Sequence, residues 1–142
     1  MPEYNKAMFA TYASGYLLFK ELHGETAALK FMRTWFERNL KPAYEAMDIV
    51  RGSTADAARV IGARDAAVGL DVRFPVIEKQ RLVYEFHTDP FPMLRGLVNP
   101  RVFDNCYMGF KIAFLLGNAW TYTTPEHIWE NGRVTRHVIK KE

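Results

Sequence analysis

The chain has 142 residues, 49% of them hydrophobic and 25% charged, with a formal net charge of +3. This length and composition suit one compact domain over residues 1–142 and exclude an intrinsically disordered chain. The weak, scattered positive charge does not mark a nucleic-acid binder, and no apolar run approaches the roughly 18–20 residues that cross a bilayer. The lone cysteine, Cys106, excludes an intramolecular disulfide framework and a multi-cysteine zinc cage, and a single thiol suits a reducing compartment. The start, Met1-Pro2-Glu3-Tyr4-Asn5, lacks the basic and apolar regions of a signal peptide. The expectation is a soluble, cytoplasmic protein with no membrane or nucleic-acid partner.

In chain order, the helical part comes first, over about residues 1–68. From Glu3 to His23, the residues Met8, Tyr12, Gly15, Phe19 and Leu22 recur at helical spacing and predict one apolar stripe, with Gly24 as the stop. A second helix is predicted from about Glu25 to Asp48. Ala28, Phe31 and Trp35 line one edge of its buried side, and Met32, Phe36 and Leu40 line the other. Pro42 predicts a kink or break near Leu40, because proline lacks an amide donor and crowds the preceding turn. Gly52-Ser53-Thr54 reads as a stop and a new N-cap for a short helix from about Ala55 to Ala66, with Ala58, Val60 and Ile61 inward.

After Gly69 the period changes to two. Val72, Phe74 and Val76 alternate with Asp71, Arg73 and Pro75, and Leu82 to His87 reads as the antiparallel partner strand. Pro75 places the first strand at an edge or a bulge. Asp89-Pro90-Phe91-Pro92 reads as a turn. Asn99-Pro100 opens a nearly all-apolar helix to about Leu116, which should be central and buried. Residues Ala119 to Lys141 form a second hairpin around Asn131-Gly132, a pair suited to a two-residue type I′ turn. The fold class is α+β: N-terminal helices, then hairpin, buried helix and second hairpin, giving a four-stranded antiparallel sheet packed on helices.

A two-residue turn at Asn131-Gly132 would set Glu126 opposite His137, with Cβ atoms about 4.5–5.5 Å apart, on a face shared with Trp120, Tyr122, Ile128 and Ile139. A carboxylate beside an imidazole raises its pKa and orients it, as an acid/base pair requires. The competing reading is an exposed cross-strand ion pair, and Pro125 could bulge the strand and break the register. In the first hairpin, Ile77 opposite Leu82 would bring Phe74 to Glu85 and Val72 to His87, setting two ionisable groups on an apolar face. His87 and Asp89 have the spacing of two ligands on one strand, but no further pattern supports a metal, and a strand end in water is the simpler reading. Cys106 reads as a packing thiol. Lys111 lies seven residues after Asp104 on the same side of the apolar helix. It predicts either a salt-bridged stripe with that carboxylate or a contact with an acidic ligand. Arg95 and Arg101 flank the start of that helix, as anion contacts or as exposed loop charges.

The order of elements resembles the L-2-amino-thiazoline-4-carboxylate hydrolase-like proteins and the related 4-vinyl reductase small-molecule-binding domain, over roughly Gly24 to Ile139. The segment Leu82-Val83-Tyr84-Glu85-Phe86-His87-Thr88-Asp89-Pro90 is similar to that group's strand leading into Cys-Pro. The closing Glu130 to Ile139 is similar to its last hairpin. Asp89 and Thr135 stand where the group places cysteines, so the resemblance implies no cysteine-held zinc here and no cofactor. It does imply a domain that encloses a small organic molecule, often as a homodimer or with a partner subunit.

Three functions follow as expectations. The first is a hydrolase-like enzyme acting on a small acidic, aromatic or heterocyclic compound. There His137 serves as base, Glu126 orients it, Glu85 or His87 supplies the acid, Trp120 and Tyr122 form walls, and Arg95 or Lys111 pairs a substrate carboxylate. The second is a non-catalytic small-molecule-binding module or accessory subunit. The third is an interaction protein completed by a partner.

Overall fold

The computed structural model describes residues 4–142; Met1, Pro2 and Glu3, where the periodic pattern places the start of the first helix, lie outside the described residues. Helix α1 (Lys6–His23) begins where the Asn5 side chain accepts a hydrogen bond from the Met8 amide, a side-chain N-cap. Its buried residues are Phe9, Ala13 and Tyr16, one position round from the expected stripe. Met8, Tyr12 and Phe19 flank that face, and Leu22 is exposed. The rings decide the rotation. Phe9 packs edge-on against Phe91, and Tyr16 against Phe103, with centroids 5.3 Å apart in both pairs, and burying aromatics dominates such a face.

Helix α2 (Glu25–Glu45) buries Ala28, Met32, Leu40 and Tyr44. It runs through Pro42 instead of breaking near Leu40. Proline removes one amide donor, but its carbonyl still accepts from Ala46 at 3.1 Å, and burial of Leu40 and Tyr44 holds the last turns in place. Helix α3 (Thr54–Ala67) is capped by Ser53, whose hydroxyl accepts from the Asp56 amide. Ala58, Val60 and Ile61 point inward as expected, and so does Asp65.

Strands β1 (Val72–Glu78) and β2 (Arg81–Phe86) form the first hairpin. Ile77 does pair with Leu82, but the register shifts between Arg73 and Val76, so Glu85 faces Arg73 and Val72 faces Phe86. The bulge surrounds Pro75, which has no amide for the ladder. Helix α4 (Pro100–Leu115) starts at Asn99, whose side chain accepts from the Arg101 and Val102 amides. It is not apolar on its buried side alone: Asp104 and Lys111 face inward, while Val102 is exposed.

Strands β3 (Trp120–Glu126) and β4 (Thr135–Lys141) complete an antiparallel sheet in the order β1-β2-β4-β3. The helices cover one face, where Leu82, Tyr84 and Phe86 of β2 and Thr135, His137 and Ile139 of β4 are buried. No helix among the described residues is long and apolar enough to cross a membrane.

The last hairpin departs most from expectation. Residues 127–134 form an eight-residue connection with a 3-10 turn at Ile128–Glu130, not a two-residue turn. Asn131 is left-handed at φ 65°, but Gly132 has no positive φ. Glycine is needed there for space: a Cβ on Gly132 would lie 2.6 Å from the His127 carbonyl oxygen and 2.7 Å from Glu126 Cγ. Gly132→Ala is therefore expected to lower unfolding stability by about 1–3 kcal/mol, read as a fall in the urea midpoint; an unchanged midpoint would mean the loop gives way without strain.

Candidate functional site

The register of the last hairpin sets Thr124, not Glu126, against His137, and a bulge in β3 then moves Glu126 to the other face. Tyr122 pairs with Ile139 and Thr123 with Val138, but the register then shifts and Glu126 pairs with Arg136. The extra residue around Pro125 turns Glu126 to the outer face of the sheet. His137 stays on the inner face with Trp120, Tyr122 and Ile139, so the Glu126–His137 acid/base pair does not exist.

Glu126, Glu85 and His87 instead belong to a charged row on the outer face. Arg73, Glu85, Arg136 and Glu126 face one another across all four strands, in alternating sign. Arg136 donates from Nε to Glu85 at 2.7 Å and from Nη1 to Glu126 at 3.1 Å. His87 Nε2 lies 3.1 Å from the other Glu85 oxygen. Burial resists ionisation of Glu85, but hydrogen bonds from Arg136 and His87 outweigh it and lower its pKa. The Val134 and Arg133 amides lower that of Glu126. These contacts consume the carboxylate oxygens in holding the sheet. Asp89 accepts from the Phe91 amide and from Trp129 Nε1, so it anchors its turn and does not join His87. Arg95 donates to Asn131 Oδ1 on the surface, and Arg101 donates to the Thr124 carbonyl and to Glu130. Both tie down the last loop. Cys106 is buried against the Leu29 carbonyl, and burial pushes its thiol up to about 11; it packs, as expected.

On the inner face lies a buried polar layer. His127 accepts the Trp129 amide at Nδ1 and so carries its proton on Nε2, which donates to Asp104 Oδ2 at 2.7 Å. His137 is fully buried, with Nδ1 2.9 Å from Thr124 Oγ1 and Nε2 4.0 Å from Asp104 Oδ2. That Nε2 has no hydrogen-bond partner, and the nearby carboxylate favours the tautomer with its proton there. Burial, with the Lys111 charge adding repulsion, pushes the imidazole down to about 3. It is a neutral packing group among the rings of Tyr84, Phe86 and Tyr122.

Lys111 is placed quite differently. Its ammonium donates to the Tyr84 hydroxyl at 2.9 Å, and that hydroxyl donates to Asp65 Oδ2 in a short hydrogen bond. Asp65 Oδ1 is 3.8 Å from Nζ. Its ion partner is thus Asp65 of α3, not Asp104 of its own helix. The rings of Tyr107 and Phe86 stand with centroids 5.1 and 5.7 Å from Nζ, within cation–π range. Burial lowers the Lys111 pKa, opposed by Asp65, and burial with the Asp65 charge raises that of Tyr84.

Above Lys111 is a pocket. It is lined by Phe9 and Tyr12 of α1, Trp35 and Phe36 of α2, Phe91, Tyr107 and Lys111 of α4, Phe86 of β2, and Arg64 and Asp65 of α3. Its empty space is about 590 Å3 including the open mouth. Trp35 is 38% exposed and, with exposed Asn39, marks the mouth. Of the eight residues expected at a site, only Lys111 lines this pocket. Trp120 and Tyr122 pack elsewhere on the inner face, where Tyr122 donates to Asn105. Sequence reasoning missed Asp65, Tyr84, Arg64 and Tyr107. An aspartate following Val60-Ile61 at helical spacing was the one available signal for Asp65.

No protein-family model, curated protein or solved structure matches the chain.

The His137 arrangement fixes the sign of a pH effect. In the unfolded chain the imidazole binds a proton near its ordinary 6.5, whereas in the fold it does so only near 3. Between those values the unfolded state holds more protons, so stability falls as pH falls, by several kcal/mol over the whole window. Urea titrations from pH 7 to pH 4 should show that loss in the wild type and a shallower one in His137→Gln; parallel curves would place the titration elsewhere.

Proposed function

We propose that the chain is a small-molecule-binding protein whose ligand is an aromatic or otherwise apolar monocarboxylate. The carrying observation is a buried lysine lining an aromatic-lined pocket together with a second cation, Arg64. Lys111 and Arg64 set two positive charges against the one of Asp65, so the pocket has room for one negative charge. Among the described residues Arg64 has no ion-pair partner, which leaves its guanidinium available for bidentate contact with a carboxylate. The rings of Phe9, Tyr12, Trp35, Phe36 and Phe91 suit a flat apolar body. A few polar groups at one end of an apolar cavity is the usual form of a ligand site.

Of the activities implied by the resemblance, the non-catalytic module of the 4-vinyl reductase type is the one this pocket suits. The hydrolase-like reading with His137, Glu126, Glu85 and His87 loses its support, because those side chains lie away from the pocket and on two faces of the sheet.

3-Phenylpropanoate is a suitable probe. At about 100 times its dissociation constant it should stabilise the fold by about 2.7 kcal/mol, read as a rise in Tm, with a change in Trp35 fluorescence. The neutral 3-phenylpropanamide should give less, and Arg64→Ala should weaken the acid more than the amide. An equal response to acid and amide would overturn the charge assignment, and no response to either would overturn the pocket as a site for this class.

A further inference from the structure

We propose that Lys111 is a carbonyl-capturing amine: it forms an imine with a 2-oxo acid whose apolar body occupies the pocket and whose carboxylate meets Arg64. This deepens the preceding reading and rests on it.

The argument starts from what an imine needs. The amine must shed a proton before it attacks, and an acid must later protonate the departing hydroxyl. Both needs are met by the chain Lys111 Nζ to Tyr84 hydroxyl, 2.9 Å, and Tyr84 hydroxyl to Asp65 Oδ2. A proton can pass from the ammonium to Tyr84 while the Tyr84 proton passes to Asp65. The ion pair becomes a neutral amine and a neutral acid, with no net charge created in a buried site. Burial favours that direction, since it penalises separated charges. Nζ has three donors and spends one on Tyr84, and its side chain lines the cavity. The nucleophile is therefore reachable from the ligand volume yet shielded from bulk water, which would otherwise hydrolyse the product.

The step balances without any further reagent. The Nζ lone pair forms a bond to the carbonyl carbon, and the carbonyl π electrons move to oxygen, which takes a proton from nitrogen. Asp65 then returns its proton through Tyr84 to the carbinolamine hydroxyl. That group leaves as water while the nitrogen lone pair forms the C=N bond. The result is a protonated imine beside the Asp65 carboxylate, plus one water; nothing is oxidised or reduced. Tyr107 and Phe86, which face the ammonium now, would face the iminium cation in its place.

The test treats the full chain with phenylpyruvate and cyanoborohydride, followed by intact mass and peptide mapping. The expected result is one adduct, of ligand mass less water plus two hydrogens, on the peptide that carries Lys111. An excess of 3-phenylpropanoate, which has the ring and carboxylate but no ketone, should suppress it. Tyr84→Phe should slow trapping by about 10²-fold. Should 3-phenylpropanoate raise Tm while phenylpyruvate leaves Lys111 unmodified, or modifies only surface lysines, the imine is overturned and the acid-binding pocket stands. A Lys111 adduct that 3-phenylpropanoate does not suppress would support the amine chemistry and overturn the acid reading. Neither adduct nor Tm shift would overturn both. Mapping the wild-type adduct keeps the test valid even if Tyr84→Phe fails to fold.

Discussion

One buried bridge organises this molecule: Lys111 of α4, Tyr84 of β2 and Asp65 of α3 meet through two hydrogen bonds inside the core. Separate, each charge would be costly to bury, and removing one partner would strand the other. Together they pin the central helix, the central strand and the third helix to one point. Phe74 stacks on the Tyr84 ring, and farther out Phe36 packs edge-on against Phe91 and Tyr107. The same constraint leaves the hollow. α1 and α2 can close over the bridge only as far as their aromatic side chains allow, and the space left above Lys111 is the pocket.

The sheet divides its ionisable groups between two environments, and the division follows from its bulges. On the outer face, Arg136 bridges the buried Glu85 and the partly exposed Glu126 in a cross-strand row of alternating sign; partial exposure keeps the Arg136–Glu126 contact worth little on its own. On the inner face, His137, Asp104 and His127 are buried and make their hydrogen bonds within the core. A single added residue near Pro125 is enough to put Glu126 in the first group instead of on the inner face with His137, because side chains alternate faces with every residue.

Much of the fold was legible in local chemistry. Ser53 and Asn99 act as the caps that their positions before apolar periodic runs suggest, Pro75 does sit in an irregular edge strand, and Ile77 does face Leu82. The site was far less legible. Lys111 could be singled out as a cation on an apolar helix, but its partners Tyr84 and Asp65 lie 27 and 46 positions away in the chain, on β2 and α3. Nothing in helical or strand periodicity relates positions on different elements. The Asn131-Gly132 pair misled for a related reason: its residues are permissive of a tight turn without requiring one, and the buried His127 and Trp129 pull the chain into a longer loop.

The amino-acid sequence by itself determined the element order, the α+β class and most element ends, since caps, prolines and hydrophobic period act over a few residues. Only the tertiary structure decided which face each charge occupies, which rings enclose a space and which lysine stands in it. Those outcomes depend on where bulges shift a register and on how four helices settle over one sheet. Both are balances of burial and hydrogen bonding among residues far apart in the chain, so no local pattern carries them.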